Sequence, residues 1–149
     1  SGQGGRLFLE LRDKMSLAYS VTAFSQEGVD PGTVGVYVGT SPQKIDIALE
    51  AIKRELRKVR ERPVNRAELE RAKKFITGTY EIDLQRCSAQ AARLASYEIY
   101  GLGHMELLRY PEKIMKVTAP EVLDVARRYL DLERYALTIV RPTPRAGFK

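Results

Sequence analysis

The stretch Leu11-Arg12-Asp13-Lys14-Met15-Ser16-Leu17-Ala18-Tyr19-Ser20-Val21 decides the fold of this chain. Upstream of it, Leu7, Phe8 and Leu11 recur at helical spacing, which predicts a short amphipathic helix over Arg6 to Lys14. Downstream, Leu17 to Gln26 alternates Tyr19, Val21 and Ala23 against Ser20, Thr22 and Phe24, the period of a strand. The quoted run is therefore a helix-to-strand joint. It leaves a permanent cation, Arg12, and a phenol, Tyr19, seven positions apart. Such a pair can grip the carbonyls of an extended peptide. The plainer reading puts Arg12 at a helix C-terminus, where a cation suits the dipole, and packs Tyr19 on a sheet.

Working outward, Gly28-Val29-Asp30-Pro31-Gly32 is a turn cluster. Thr33 to Thr40 then alternates again, with Val34, Val36 and Val38 on one side, so the two strands read as an antiparallel hairpin. Ser41-Pro42 opens the next helix, a capping residue followed by a first-turn proline. Ile45, Ala48, Leu49, Ile52, Leu56 and Val59 form its apolar stripe, and Pro63 ends it. Asn65-Arg66-Ala67-Glu68 resembles a capping box. One long helix is expected from about Arg66 to Tyr100, bent or interrupted at Gly78 and stopped by Gly101-Leu102-Gly103. Glu106 to Arg109 and Pro111 to Lys116 read as two short helical pieces. Thr118-Ala119-Pro120-Glu121 starts another helix, whose expected buried face is Val122, Val125, Ala126 and Tyr129. Tyr135 to Val140 reads as a third strand, and 142–149 as a frayed tail.

Strands and helices are segregated along the chain. That order predicts an α+β fold, an antiparallel sheet with helices packed on one face. A three-stranded sheet is thin, so at least one edge should seek an outside partner.

With 149 residues, 44% hydrophobic and 30% charged, the chain is long enough for one domain and reads as soluble and globular. The net charge of +6 invites a nucleic-acid reading. However, the basic residues are interleaved with acids, as in Lys53-Arg54-Glu55-Leu56-Arg57-Lys58, a pattern of solvated helix faces, and no nucleic-acid partner is expected. No apolar run is long enough to span a membrane. The N-terminus lacks a basic stretch followed by an apolar one, so no signal peptide is visible. A longer precursor could have lost one, which leaves both cytoplasm and periplasm open.

Cys87 is the single cysteine, which excludes an internal disulfide. It reads as a small buried residue in the middle of the long helix. Without a histidine partner it is not expected to be a catalytic thiol. His104 is the single histidine and falls in a loop. Glu98, Glu106 and Glu112 could offer oxygens, but their spacing does not build a zinc site, so no metal is expected on this chain. Gly2-Gln3-Gly4-Gly5 lacks the preceding strand and the Gly-Lys-Ser/Thr of a phosphate cradle. Ser16, Ser20, Ser25 and Ser88 lack a G-x-S-x-G setting.

The run from Gly5 to Val21 closely resembles a segment of the pitrilysin-type zinc metallopeptidases, which include insulysin and the mitochondrial processing peptidase. The resemblance continues through Asp30-Pro31-Gly32, Val34 to Thr40, Asn65 to Lys73, Tyr97 to Gly103 and Val117 to Val122. It covers essentially the whole chain and points to the family's C-terminal, non-metal-binding domain. It implies a half-domain of the processing-peptidase type, truncated at its N-terminus, with 1–149 forming one partial domain. The family encloses peptides between two related halves, and H-x-x-E-H in the first half holds zinc. By position, Arg12 and Tyr19 would bind substrate. Tyr19 would also stabilise the transition state, in trans to a zinc site in a zinc-binding N-terminal half or partner subunit. The resemblance thus implies a zinc endopeptidase acting on extended peptides, silent as this chain alone, in a homo- or heterodimer or a longer chain. The alternative it implies is a non-catalytic structural or interaction subunit with the same fold.

Overall fold

A computed structural model of the chain describes residues 4–28 and 30–142. The expected frayed tail falls outside them from Thr143 onward, as do Ser1 to Gln3 and the turn residue Val29. The described residues form six α-helices and a two-stranded antiparallel sheet, an α+β arrangement. In chain order these are α1 (Arg6–Phe8), running straight into a π-helical turn (Leu9–Lys14), then β1 (Ala18–Gln26) and β2 (Thr33–Thr40). A 3₁₀ turn (Pro42–Lys44) leads into α2 (Ile45–Glu61). It is followed by α3 (Arg66–Asp83), α4 (Cys87–Ile99), α5 (Glu106–Lys116) and α6 (Ala119–Tyr129).

The core lies where the helix-to-strand joint meets α2. Leu11, Leu17, Ala18, Ala48 and Ala51 are buried together, with Leu7, Met15, Val21, Val38 and Ile52 packed around them. Val21 and Val38 are direct cross-strand partners, so the core face of the hairpin rests on this cluster. The alternate positions Phe24 and Tyr37 are exposed. The Phe24 ring lies across Gly35 on the neighbouring strand, in space that a side chain at position 35 would need.

Most local signals form as the sequence predicts, although Ser41, expected to cap, makes no side-chain cap bond. Asn65 accepts the Glu68 backbone N–H at 2.8 Å. The Glu68 carboxylate departs from a capping box and instead takes a bidentate pair from Arg6, at 3.0 and 2.7 Å. Thr118 and Glu121 make the reciprocal capping box. At the end of α4, Leu102 N–H reaches the Tyr97 carbonyl at 2.8 Å and Gly101 N–H the Glu98 carbonyl at 3.0 Å. That is a Schellman closure, and Gly101 takes the left-handed conformation it requires, φ 71°.

Five expectations are corrected. The long helix breaks at Leu84 to Arg86, not at Gly78, which stays helical. Asp83 pairs with Arg86 and with Arg93 across the break, and the Gln90 side chain donates to the freed Leu84 carbonyl at 2.7 Å. Cys87 therefore opens α4 and is exposed, not buried in mid-helix. On α6 only Ala126 is buried, while Val125 and Tyr129 face outward. Tyr135 to Val140 forms no strand. Its residues are exposed, and Tyr135 stacks under the Lys53 ammonium of α2, 5.2 Å from the ring centroid. Strand-forming side chains alone do not make a strand without a ladder partner.

The fifth correction is α5, which is one continuous helix through Pro111, not two pieces. Proline has no N–H, so the carbonyl four residues back, Leu107, loses its helical donor. The Tyr80 hydroxyl of α3 donates to that carbonyl at 2.9 Å. Tyr80 is buried, with the Tyr110 ring 4.7 Å away and the Arg93 guanidinium 4.5 Å over its face. Its single proton is committed to Leu107, so the Tyr97 hydroxyl at 3.3 Å serves as donor to the Tyr80 oxygen. Burial, reinforced by Tyr97, pushes the Tyr80 phenol well above its ordinary range, which keeps it protonated and able to donate.

Tyr80→Phe should cost about 1–2 kcal/mol in urea unfolding, the penalty of an orphaned buried carbonyl. In a Pro111→Ala background, where the backbone supplies its own donor, the same substitution should cost less than half as much. Equal costs in the two backgrounds would refute this account of the helix.

Candidate functional site

Both residues singled out in the sequence sit on irregular backbone. Arg12 lies in the π turn, marked by Met15 N–H donating to the Glu10 carbonyl five residues back at 3.1 Å. Leu17 N–H then closes onto the Leu11 carbonyl at 2.7 Å, locking the end of the helix to the start of β1. Between them Ser16 adopts φ 49°, a left-handed conformation uncommon for a residue with a side chain.

Tyr19 is the extra residue of a β-bulge. Ala18 pairs with Thr40 and Ser20 with Gly39, so two steps on β1 oppose one on β2. Regular alternation back from core-facing Val21 would send Tyr19 inward and Ala18 outward. The bulge reverses this: Ala18 is buried in the core cluster and Tyr19 is 87% exposed. The Thr40 hydroxyl supports the joint by donating to the Leu17 carbonyl at 2.6 Å. π turns and bulges recur at functional sites, where an added residue re-aims a side chain.

The result is a paired display. The Arg12 guanidinium carbon lies 5.9 Å from the Tyr19 ring centroid and 4.8 Å from that of Phe8. Stacking engages the face of a guanidinium and leaves its N–H donors at the edge. Among the described residues no carboxylate pairs with Arg12, in contrast to Arg6, Arg54, Arg86 and Arg93. Arg12 and Tyr19 border an open hollow of about 550 Å³, which Ser16, Thr40, Ser41 and Lys44 also line. Lys44 is a feature the sequence reading missed. Its ammonium donates to the Ser16 carbonyl at 2.8 Å, bridging 28 positions. Only its place two residues after Ser41-Pro42, at the mouth of α2, hinted at a location near the strand end.

The other residues weighed in the sequence are dispersed. His104 lies in the turn before α5, with Glu98 at 3.6 Å and both side chains exposed. Glu106 is buried and takes the Lys113 ammonium at 2.6 Å. No group of three or more His, Cys, Asp or Glu suited to a metal occurs among the described residues. The donors of the described residues therefore do not fit the zinc that the resemblance implies. Among the described residues no helix is long and apolar enough to cross a membrane.

Comparison with known proteins bears on the family and the fold. Residues 1–76 match the family model for the peptidase M16 inactive domain. Over 141 residues the chain is 31% identical to an uncharacterized zinc protease of Streptomyces coelicolor, covering 95% of this chain and 30% of that protein. It is 27% identical to the uncharacterized zinc protease YmxG of Bacillus subtilis, covering 93% of this chain and 34% of the relative. The chain thus spans about a third of the length of these curated relatives. Among solved structures, the inactive peptidase domain of a putative zinc protease from Bordetella parapertussis superposes with a TM-score of 0.75 at 19% identity. That alignment covers 99% of this chain and 80% of the other. A peptidase M16 inactive domain from Pseudomonas fluorescens gives 0.70 at 20% identity, covering 88% and 31%. These two likenesses speak for the fold, and the match over just over half of the sequence speaks for descent: the chain belongs to the peptidase M16 family of zinc metallopeptidases, as its inactive, C-terminal type of domain.

Proposed function

We propose that this chain is the substrate-facing wall of an M16 zinc endopeptidase, one partial domain that completes a chamber around extended peptides. The observation that carries the reading is the joint display of Arg12 and Tyr19, ring and guanidinium 5.9 Å apart on a π turn and a bulge. Zinc would come from another segment or a partner subunit, since among the described residues no donors group into such a site.

In this reading the free edge of Arg12 donates to carbonyls of the bound peptide and fixes its register. The Tyr19 hydroxyl donates to the oxygen of the scissile carbonyl, where negative charge builds as the carbon becomes tetrahedral. A donor aimed at charge that develops only on the way to the transition state accelerates turnover without tightening ground-state binding. Phe8 and the Leu17–Leu11 closure act indirectly, by holding the two groups in place.

A second reading, a non-catalytic interaction subunit, draws support from the exposed apolar side chains Ile82, Ile99 and Leu108 on α3, α4 and α5. The two readings differ in what Tyr19 does.

In the full-length protein, supplied with its zinc-binding half, Tyr19→Phe should lower kcat by roughly 10²–10³ and leave KM within a few-fold. Unchanged kcat would refute the proposed role and favour the interaction subunit. Arg12→Lys keeps the charge and loses the planar fork, so it should raise KM for a peptide substrate more than it lowers kcat. Steady-state kinetics on one fluorogenic peptide reads both.

A further inference from the structure

We infer that Lys44 is a specificity residue, making the hollow beside Arg12 and Tyr19 a site for a carboxylate carried by the bound peptide. This rests on the peptide-binding reading above and narrows the substrate class to peptides with an acidic group next to the segment those two residues hold.

Two cations, Arg12 and Lys44, border the same hollow, and none of the residues lining it is acidic. Among the described residues neither cation is in an ion pair, while Lys14, Lys53, Lys58, Lys73 and Lys113 all are. Lys44 is exposed and is tethered by one hydrogen bond. One ammonium proton goes to the Ser16 carbonyl at 2.8 Å, and an ammonium has two more to give. The Ser16 and Ser41 side chains add hydroxyl donors to the same wall. A tethered ammonium and a guanidinium with an open edge, beside residues that carry hydroxyls and bordering an open hollow, suit an anion. A peptide's only ordinary anions are Asp and Glu side chains and its terminal carboxylate. A basic peptide would set like charges against each other there.

The test uses the full-length protein with its zinc-binding half and three fluorogenic peptides of one sequence. One carries Glu beside the cleaved segment with an amidated C-terminus, one carries Gln with the same amide, and one carries Gln with a free C-terminus. A side-chain carboxylate predicts a kcat/KM for the Glu peptide roughly two- to five-fold above that of the amidated Gln peptide, the scale of a partly exposed ion pair. A terminal carboxylate predicts the advantage for the free-acid peptide instead. Either advantage should collapse towards one in Lys44→Gln, persist in Lys44→Arg and shrink as salt is raised. Ratios between matched peptides cancel any general loss from disturbing Ser16. Equal kcat/KM for all three peptides, or an advantage that survives Lys44→Gln, overturns the inference and leaves the peptidase reading standing. Failure to cleave any peptide overturns that reading, and this inference with it.

Discussion

The complete burial of Leu11 is the constraint on which the rest of the structure depends. Its side chain anchors the π turn in the cluster formed with Leu17, Ala18, Ala48 and Ala51, and its carbonyl accepts the Leu17 N–H. One residue thus ties helix, strand and α2 together. Arg12 is its immediate neighbour, so the direction in which the guanidinium leaves the helix is set by where Leu11 must go. Tyr19 follows from the other side of the joint, since Ala18 can enter the cluster only if the bulge turns the phenol outward. Packing of small and branched hydrocarbon therefore sets the geometry of two polar groups that make no direct contribution to the core.

The parts of the fold that were legible in the sequence are those whose causes are local. Asn65 and Thr118 cap the helices that follow them, Gly101 closes α4, and β2 begins and ends where its alternation does. The pairing of Arg12 with Tyr19 was legible as well, but only as an order of residues. The irregularities that turn that order into a display were not, because a π turn and a bulge are shifts of register decided by tertiary packing. Ser16 carries no special sign of its left-handed backbone. Lys44 meets Ser16 only because the hairpin folds back on the helix end.

The misplaced elements have the same origin. Cys87 looked interior to a helix because nothing between Asp83 and Arg86 is a helix breaker; the break is stabilised by side chains that reach it from Gln90 and Arg93. Pro111 looked like a terminus because proline removes a donor, yet Tyr80 supplies a replacement from the adjacent helix. Tyr135 to Val140 has the composition of a strand and no paired edge to join. In each case a distant group supplies, or withholds, what the local sequence requires.

The π turn also gives the length of its segment a meaning separate from its composition. Each residue advances an α-helix by about one hundred degrees. Dropping a single position between Leu9 and Lys14 would remove the extra residue of the turn and set the burial of Leu11 against the closure onto β1, so that Arg12 and Tyr19 would lose their present alignment with neither side chain altered. Insertions and deletions here would act on the display without touching Arg12 itself, and two chains identical at both display positions would differ in what they present to the hollow.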